Sequence, residues 1–141
     1  KLPGWSLTLL GTDLSGAVLA TAKAGSYDSR SVRLVKEEDR HRYFDHDPAT
    51  GRWTVKDEIR AMVTWKRHNL LAPLKEEPFD CIFIKNVLIY FDAGSKQTVA
   101  RNRIRSLAAG GYLVVGPTEG IYAMLAPLEK LKPWLYRRPT A

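Results

Sequence analysis

The sequence has few of the features that would predict a disulfide, a membrane span or a nucleotide-binding glycine loop. Cys81 is the only cysteine, which excludes an internal disulfide and favours a reducing compartment such as the cytoplasm. No apolar run approaches the ~20 residues of a membrane-spanning helix, so we expect neither membrane insertion nor a signal peptide. The sequence also lacks a G-x-G-x-x-G motif, a Walker motif and a nucleophile elbow.

Metal ligation and nucleic-acid binding are equally poorly supported. His41, His46 and His68 have no Cys, His or carboxylate companions at ligand spacing, so no metal site is expected. The net charge of +7 suits a polyanion, an acidic protein or a phosphate-bearing ligand, but the basic residues are dispersed and an ordinary basic surface explains them as well. Aromatic residues are not interleaved with Arg and Lys in a recognisable strand motif, so nucleic acid is not an expected partner.

Strand-like and helix-like segments do alternate along the chain. Helices are predicted from the N-cap Ser15 to the helix stop Gly25, over residues 29–44 and over residues 95–108, before a second glycine stop at Gly110 and Gly111. Strands are predicted at residues 7–10, "RWTV", "AMVTWKRHNL", "DCIFIK", "AAGGYLVVG" and residues 134–137. This alternation indicates an α/β fold with a mainly parallel sheet.

One segment interrupts the alternation. "DHDPATGRWTV" contains Asp-Pro and Thr-Gly pairs that are typical of a hairpin turn, with Asp45 and Asp47 interpreted as turn-forming residues. We therefore predict a small antiparallel insertion at about residues 42–56.

Polar side chains stand at the ends of three predicted strands. Asp13 follows the first, Asn69 ends "AMVTWKRHNL", and Lys85 with Asn86 ends the most apolar one. Ligands of parallel sheets bind outside the carboxyl ends of the strands, so these positions predict a ligand site. There are two interpretations of Asp13: its carboxylate accepts hydrogen bonds from two ribose hydroxyls, or it only caps the next helix. Asn69 likewise has two interpretations: its side-chain amide binds the polar edge of adenine, or it only forms a backbone turn.

The segment "FDCIFIKNVLIYFD" becomes apolar again after its charged interruption. Lys85 can lie along apolar surface with its ammonium in water, and Tyr90 and Phe91 can be ordinary core residues. The adjacent Asn86 and the hydroxyl of Tyr90, which needs a partner when buried, favour instead the wall of a ligand cavity. Cys81, in the middle of the strand, is interpreted as a small buried hydrophobe.

Several segments together resemble the CheR family of chemotaxis-receptor methyltransferases. In chain order they are "LLGTDLSGAVLATAKAGSY", "RYF", "KRHNLL", "FDCIFIKNVLIYFD" and "LAAGGYLVVGPTEG". The resemblance covers nearly the whole chain, and "KNVLIYF" is its most specific part.

The resemblance implies methylation of glutamate side chains on receptor cytoplasmic helices, with S-adenosylmethionine as the methyl donor and S-adenosylhomocysteine as a product. It also implies a Rossmann-like class I methyltransferase fold with a small antiparallel β-subdomain inserted. In some members that subdomain docks a peptide at the receptor tail. The interruption at residues 42–56 falls where the family's β-subdomain belongs.

The resemblance also assigns roles to the residues at the strand ends. Tyr90 corresponds to the tyrosine beside the reactive methyl group. Residues expected to contact the cofactor are Asp13 at the ribose, Asn69 and the Leu70 backbone at adenine, and the strand end formed by Ile84, Lys85 and Asn86.

Two positions depart from the family pattern, and two of its parts do not match within the chain. Lys85 stands where the family has Arg, and lysine lacks the planar bidentate fork of a guanidinium. The second departure is "GPTE" with Pro117, which replaces a "GHSE"-like turn. The family's glycine-bearing cofactor loop and N-terminal helical domain are expected before Lys1. Residues 1–141 thus resemble the C-terminal portion of a methyltransferase domain, and we expect them to bind cofactor poorly alone. The alternative is a catalytically incomplete module that docks a receptor or another partner.

Overall fold

The computed structural model describes residues 3–140, in a chain that divides into two compact units, Lys1–His68 and Asn69–Ala141. Both units combine helices with strands, as the sequence predicts for an α/β fold. Within residues 3–140, no helix has the length and apolar character needed to cross a bilayer.

The first unit contains a parallel strand pair and a helix. Strand β1 (Leu9–Asp13) pairs with β5 (Val63–Arg67), and β1 leads into helix α1 (Gly16–Ala24). The hydroxyl of Ser15 accepts a hydrogen bond from the Val18 amide at 3.3 Å, and Gly25 ends the helix at a φ of 60°. The predicted cap and stop are confirmed, whereas the strand predicted at residues 7–10 begins and ends later.

A separate antiparallel sheet contains the predicted hairpin. Strands β2 (Ser26–Tyr27), β3 (Phe44–Asp47) and β4 (Arg52–Val55) pair in the order β2-β4-β3. Asp47 accepts hydrogen bonds from the Thr50 hydroxyl at 2.6 Å and the Ala49 amide at 2.9 Å, and these bonds lower the pKa of its carboxyl. Asp47 is therefore a turn former, as predicted, but Asp45 lies within β3 rather than in the turn.

The helix predicted over residues 29–44 is much shorter. Helix α2 spans only Glu37–Tyr43, and residues 29–34 form turns. The Asp28 carboxylate accepts a hydrogen bond from the Ser31 amide at 2.7 Å, and such local bonds compete with helical ones.

A one-turn helix that the sequence did not reveal, α3 (Asp57–Arg60), precedes β5. The Arg60 guanidinium donates to the Ala24 carbonyl at 2.9 Å, which satisfies an acceptor at the end of α1.

The second unit is built on a four-stranded mixed sheet. Strand β6 (Phe79–Ile84) is parallel to β7 (Leu107–Val115), and β9 (Leu135–Arg137) and β8 (Glu129–Lys132) add antiparallel strands in the order β6-β7-β9-β8. Helix α4 (Ala93–Ser106) connects β6 to β7. The core comprises mainly aliphatic side chains, among them Ile84, Leu88, Val99, Leu107, Leu113, Val115, Ile121 and Leu125.

Two expectations about this sheet are wrong. Cys81 is exposed rather than buried, and Phe83, two residues further along β6 and so on the same face of the sheet, is also 73% exposed. Gly110 and Gly111 do not stop α4, which already ends at Ser106; they lie inside β7, at a register shift opposite β6. Gly110 has a φ of 76°, which glycine adopts without steric cost.

We expect Gly111→Ala to destabilise the protein by about 1–3 kcal/mol, the usual cost of overpacking. An added Cβ meets the Ala108 carbonyl oxygen at 2.9 Å and the Phe79 carbonyl oxygen at 3.0 Å, and backbone atoms yield poorly. The free energy of unfolding from urea titration measures the effect. Gly16→Ala is the control, because no atom lies within 4 Å of its added Cβ. Equal stability of both variants would contradict the conclusion that the backbone at this register shift leaves no room for a side chain at Gly111.

Candidate functional site

The end of β6 changes from core to surface within two residues. Ile84 is 4% exposed and belongs to the apolar core, whereas Lys85 and Asn86 are exposed. Asn86 has a φ of 59° and is the one residue other than glycine with a positive φ among those that the structure describes. This left-handed conformation costs an L-residue energy, although Asn tolerates it better than most. The chain therefore turns sharply just where the sequence placed a ligand site.

Glu119 fixes that turn from a distant part of the sequence. Its carboxylate is fully buried and accepts hydrogen bonds from three successive backbone amides: Asn86 to Oε1, and Val87 at 3.1 Å and Leu88 at 2.7 Å to Oε2. Successive amides in such a turn form a concavity that favours an anion. Glu119 was not among the site residues predicted from the sequence, although an acidic residue in the short turn after an apolar strand was a detectable signal.

The segment from Leu88 to Phe91 alternates between core and solvent. Leu88 is buried and Phe91 packs partly against the core, while Tyr90 is 91% exposed in a one-turn 3-10 helix, Leu88–Tyr90. The interpretation of Tyr90 as an ordinary core residue is therefore wrong. No hydrogen bond to its hydroxyl occurs within residues 3–140, which leaves that group available to a ligand.

Asn69 and Leu70 form a turn that α4 holds in place. The Asn69 side-chain oxygen accepts from the Leu71 amide at 3.0 Å, so this residue does shape a backbone turn, and its exposed amide nitrogen remains free to donate. Asn102, buried on α4, donates to the Leu70 carbonyl at 3.3 Å and to the Leu71 carbonyl at 3.0 Å. Within residues 3–140 the Leu70 amide has no backbone acceptor. Asn102 is a second positioning residue that sequence reasoning missed.

Asp13 lies at the end of β1 in the first unit. One carboxylate oxygen accepts a hydrogen bond from the Ser15 amide at 2.7 Å, so Asp13 does support the start of α1. Among residues 3–140, nothing donates a hydrogen bond to its other oxygen. The capping and ligand-binding interpretations of Asp13 are therefore compatible.

The structure places six of the seven predicted site residues in the second unit. Ile84, Lys85, Asn86 and Tyr90 follow one another at the carboxyl end of β6, and Leu70 packs against the core to which Ile84 belongs. The available groups there are amide donors, an ammonium and a phenol. No group of three or more His, Cys, Asp and Glu in the described part of the chain could hold a metal ion. The arrangement suits binding and orientation of a ligand rather than proton abstraction.

We expect Asn102→Leu to lower the free energy of unfolding by about 1–3 kcal/mol, because it removes two part-buried hydrogen bonds that are worth about 0.5–1.5 kcal/mol each. Thermal and urea unfolding measure the loss. Gln97→Ala, an exposed change on the same helix, is the control and should leave stability nearly unchanged. If Asn102→Leu is as stable as the control, the hydrogen bonds to Leu70 and Leu71 contribute nothing to this turn.

Comparison with known proteins identifies what the chain is similar to. Residues 1–133 match the family model for the CheR methyltransferase, SAM binding domain. The chain is 40% identical over 115 residues to the chemotaxis protein methyltransferase Cher2 of Pseudomonas putida, covering 80% of this chain and 42% of that protein. It is 33% identical over 135 residues to chemotaxis protein methyltransferase 1 of Vibrio cholerae, covering 94% of this chain and 49% of that protein. The chain thus spans less than half the length of these two curated relatives.

Solved structures show the same fold at lower identity. N-methyltransferase NodS from Bradyrhizobium japonicum matches with a TM-score of 0.57 and 16% identity, covering 94% of this chain and 74% of the NodS chain. NodS in complex with S-adenosylhomocysteine matches with a TM-score of 0.58, again at 16% identity, covering 94% of this chain and 67% of that one. Identity at this level establishes a shared fold and nothing more specific.

Proposed function

Because the chain belongs to the CheR methyltransferase family, in its SAM-binding domain, we propose that the protein transfers a methyl group from S-adenosylmethionine to glutamate side chains of chemotaxis receptors. The products are a glutamate methyl ester and S-adenosylhomocysteine. The observation that carries this proposal is the family match over residues 1–133. The family, the methyltransferase fold and the family's cofactor are as the sequence predicted.

The groups left available at the strand ends fit the proposed cofactor. The free carboxylate oxygen of Asp13 can accept from ribose hydroxyls. The side-chain amide of Asn69 and the backbone amide of Leu70 are unused donors that suit the polar edge of adenine. Ile84, Lys85 and Asn86 provide an apolar floor and polar rim, which supports their proposed place along the cofactor.

The chemistry of the described residues also agrees with this reaction. The cofactor supplies an electrophilic methyl group on a sulfonium sulfur. A glutamate carboxylate, with an ordinary pKa of about 4.3, is already ionised near neutral pH and needs no general base. What the protein must provide is alignment of oxygen, methyl and sulfur, which can be worth about 7–11 kcal/mol. Tyr90, exposed and with a free hydroxyl, is the proposed contact beside the methyl group.

Lys85 is proposed to take the place of the family's Arg. Its exposed ammonium retains the positive charge, but it is a point charge and cannot form the bidentate contacts of a guanidinium. We therefore propose that Lys85 attracts a carboxylate of the bound ligand electrostatically and does not fix the orientation of that carboxylate.

The antiparallel sheet β2-β4-β3 is the proposed inserted β-subdomain. Strand β3 lies at its edge and exposes most of its residues, and an edge strand can pair with an extended peptide. Trp53, buried on β4, stacks on His46 with ring centroids 4.3 Å apart, and Arg40 of α2 lies 5.3 Å from its ring centroid. A supported and exposed edge strand suits an extended peptide, and the occupant that we propose is a receptor tail peptide. Docking without catalysis is the second candidate function.

The reaction is tested with the full-length protein, labelled S-adenosylmethionine and a receptor cytoplasmic fragment. We expect label on the receptor that is released as methanol by mild alkali, since that release is characteristic of a methyl ester. Replacing the receptor's modified glutamates with glutamine should abolish the labelling. Cofactor binding without base-labile label would favour the docking module over the enzyme.

We expect Asp13→Asn to weaken S-adenosylhomocysteine binding by about 10- to 100-fold, which corresponds to about 1.5–3 kcal/mol for hydrogen bonds to a charged group. The amide oxygen can still accept from the Ser15 amide, so the start of α1 is retained. Isothermal titration calorimetry of the full-length protein with S-adenosylhomocysteine measures the change in dissociation constant. Asp28→Asn is the matched control, because Asp28 also accepts a backbone amide hydrogen bond near the start of a turn. Equal affinity of both variants would exclude Asp13 from the cofactor site.

A further inference from the structure

The turn after β6 depends on a carboxylate that lies about thirty residues further along the chain. Glu119 belongs to the short turn after β7, where its own amide donates to the Gly116 carbonyl at 3.4 Å. The Gly116 amide donates in turn to the Ile84 carbonyl at 2.8 Å. An added Cβ on Gly116 would meet the Glu119 Oε1 atom at 3.1 Å and the Lys85 Cγ atom at 3.0 Å. The two turns are thus packed directly against each other.

The hydrogen bonds of Glu119 account for the unusual backbone of Asn86. The left-handed conformation of Asn86, followed by a right-handed one at Val87, directs the amides of residues 86–88 toward one point. Without an acceptor the buried amide of Leu88 would lack a partner, which costs about 1–3 kcal/mol, and the amides of Asn86 and Val87 would lose their bonds to the same carboxylate. Glu119 fills this concavity, so the conformation of the turn and the presence of the carboxylate depend on each other.

The residues on either side of this anchor are those proposed to meet the cofactor and the methyl group. Asn86 donates its backbone amide to Glu119 while its side chain stays exposed. Tyr90 lies on the 3-10 turn whose first residue, Leu88, is held by the same carboxylate. The backbone of Asn86 is thus held while its side chain faces outward, and the exposed Tyr90 stands two residues after the anchored amide of Leu88.

We propose that Glu119 is a positioning residue for methyl transfer: by binding the amides of residues 86–88 it sets the place of the Asn86 side chain and of the Tyr90 ring. Glu119 touches neither cofactor nor substrate in this assignment. The inference rests on the proposed function, because positioning has a purpose only if Asn86 and Tyr90 act on the cofactor and its methyl group.

The test is a double-mutant cycle in the full-length protein, with S-adenosylhomocysteine as the probe. Glu119→Gln keeps the shape of the side chain but places an NH2 group against backbone donors. Asn86→Gly removes the side chain at the cofactor while favouring the left-handed backbone. Glu77→Gln, an exposed change of the same chemistry, is the control. Calorimetry gives the dissociation constants, and hydrogen exchange reports on the amides of residues 86–88.

We expect Glu119→Gln to raise the dissociation constant about 10-fold (1.4 kcal/mol per tenfold) and Asn86→Gly to act similarly, with no further loss in the double variant. A purely structural role of Glu119 predicts instead that the two effects multiply, which would overturn the proposal. Unchanged affinity of Glu119→Gln would overturn it as well. Glu77→Gln should bind as the wild type does.

Hydrogen exchange separates failure of this inference from failure of the proposed function. Faster exchange at residues 86–88 in Glu119→Gln, but not in Glu77→Gln, supports anchoring of the turn, and unchanged exchange overturns it. If the wild-type protein binds no S-adenosylhomocysteine, the proposed function fails, and with it the assignment of Asn86 to the cofactor. In that outcome faster exchange still identifies Glu119 as the anchor of the turn.

Discussion

The geometry of the candidate site depends on one buried carboxylate and the three backbone amides that it binds. Strand β6 ends against the core at Ile84, and the chain must then reverse without leaving buried amides unpaired. Neither a glycine nor a proline makes this turn. Asn86 adopts a positive φ, and Glu119 compensates by accepting from Asn86, Val87 and Leu88. The exposed side chains at this strand end owe their positions to that interaction.

A second buried polar side chain, Asn102, holds another turn of the same unit in a similar way. Asn102 of α4 donates to the carbonyls of Leu70 and Leu71, as Glu119 accepts from amides after β6. In both cases the anchor is buried and the turn that it holds presents groups to solvent. Buried polar groups cost energy unless they are fully hydrogen-bonded, so each fixes its turn more strictly than apolar packing alone. The second unit thereby separates residues that hold the site from residues proposed to contact ligands.

Local chemistry explains which parts of the fold were predictable. The cap at Ser15, the stop at Gly25 and the hairpin turn involving Asp47 depend on residues within a few positions of each other, and all three are confirmed. The helix over residues 29–44 was overextended because the Asp28 turn offers its backbone a local alternative. The glycines of β7 were misassigned because helix stops and strand bulges use the same residue, and only the pairing partner distinguishes them. The exposure of Cys81 was not predicted because the sequence of one strand does not show whether its face is covered by another element.

The sequence by itself determined the family, the α/β class and the polar residues at the strand ends, because motif spacing and the alternation of strands and helices are local properties of the chain. Only the tertiary structure decided how those residues are held. Glu119 meets Asn86 across 33 positions of sequence, and Asn102 meets Leu71 across 31. A hydrogen bond between residues so far apart exists only once the strands and helix between them have packed. The hydrogen-bonding role of each anchor therefore became visible only in the fold.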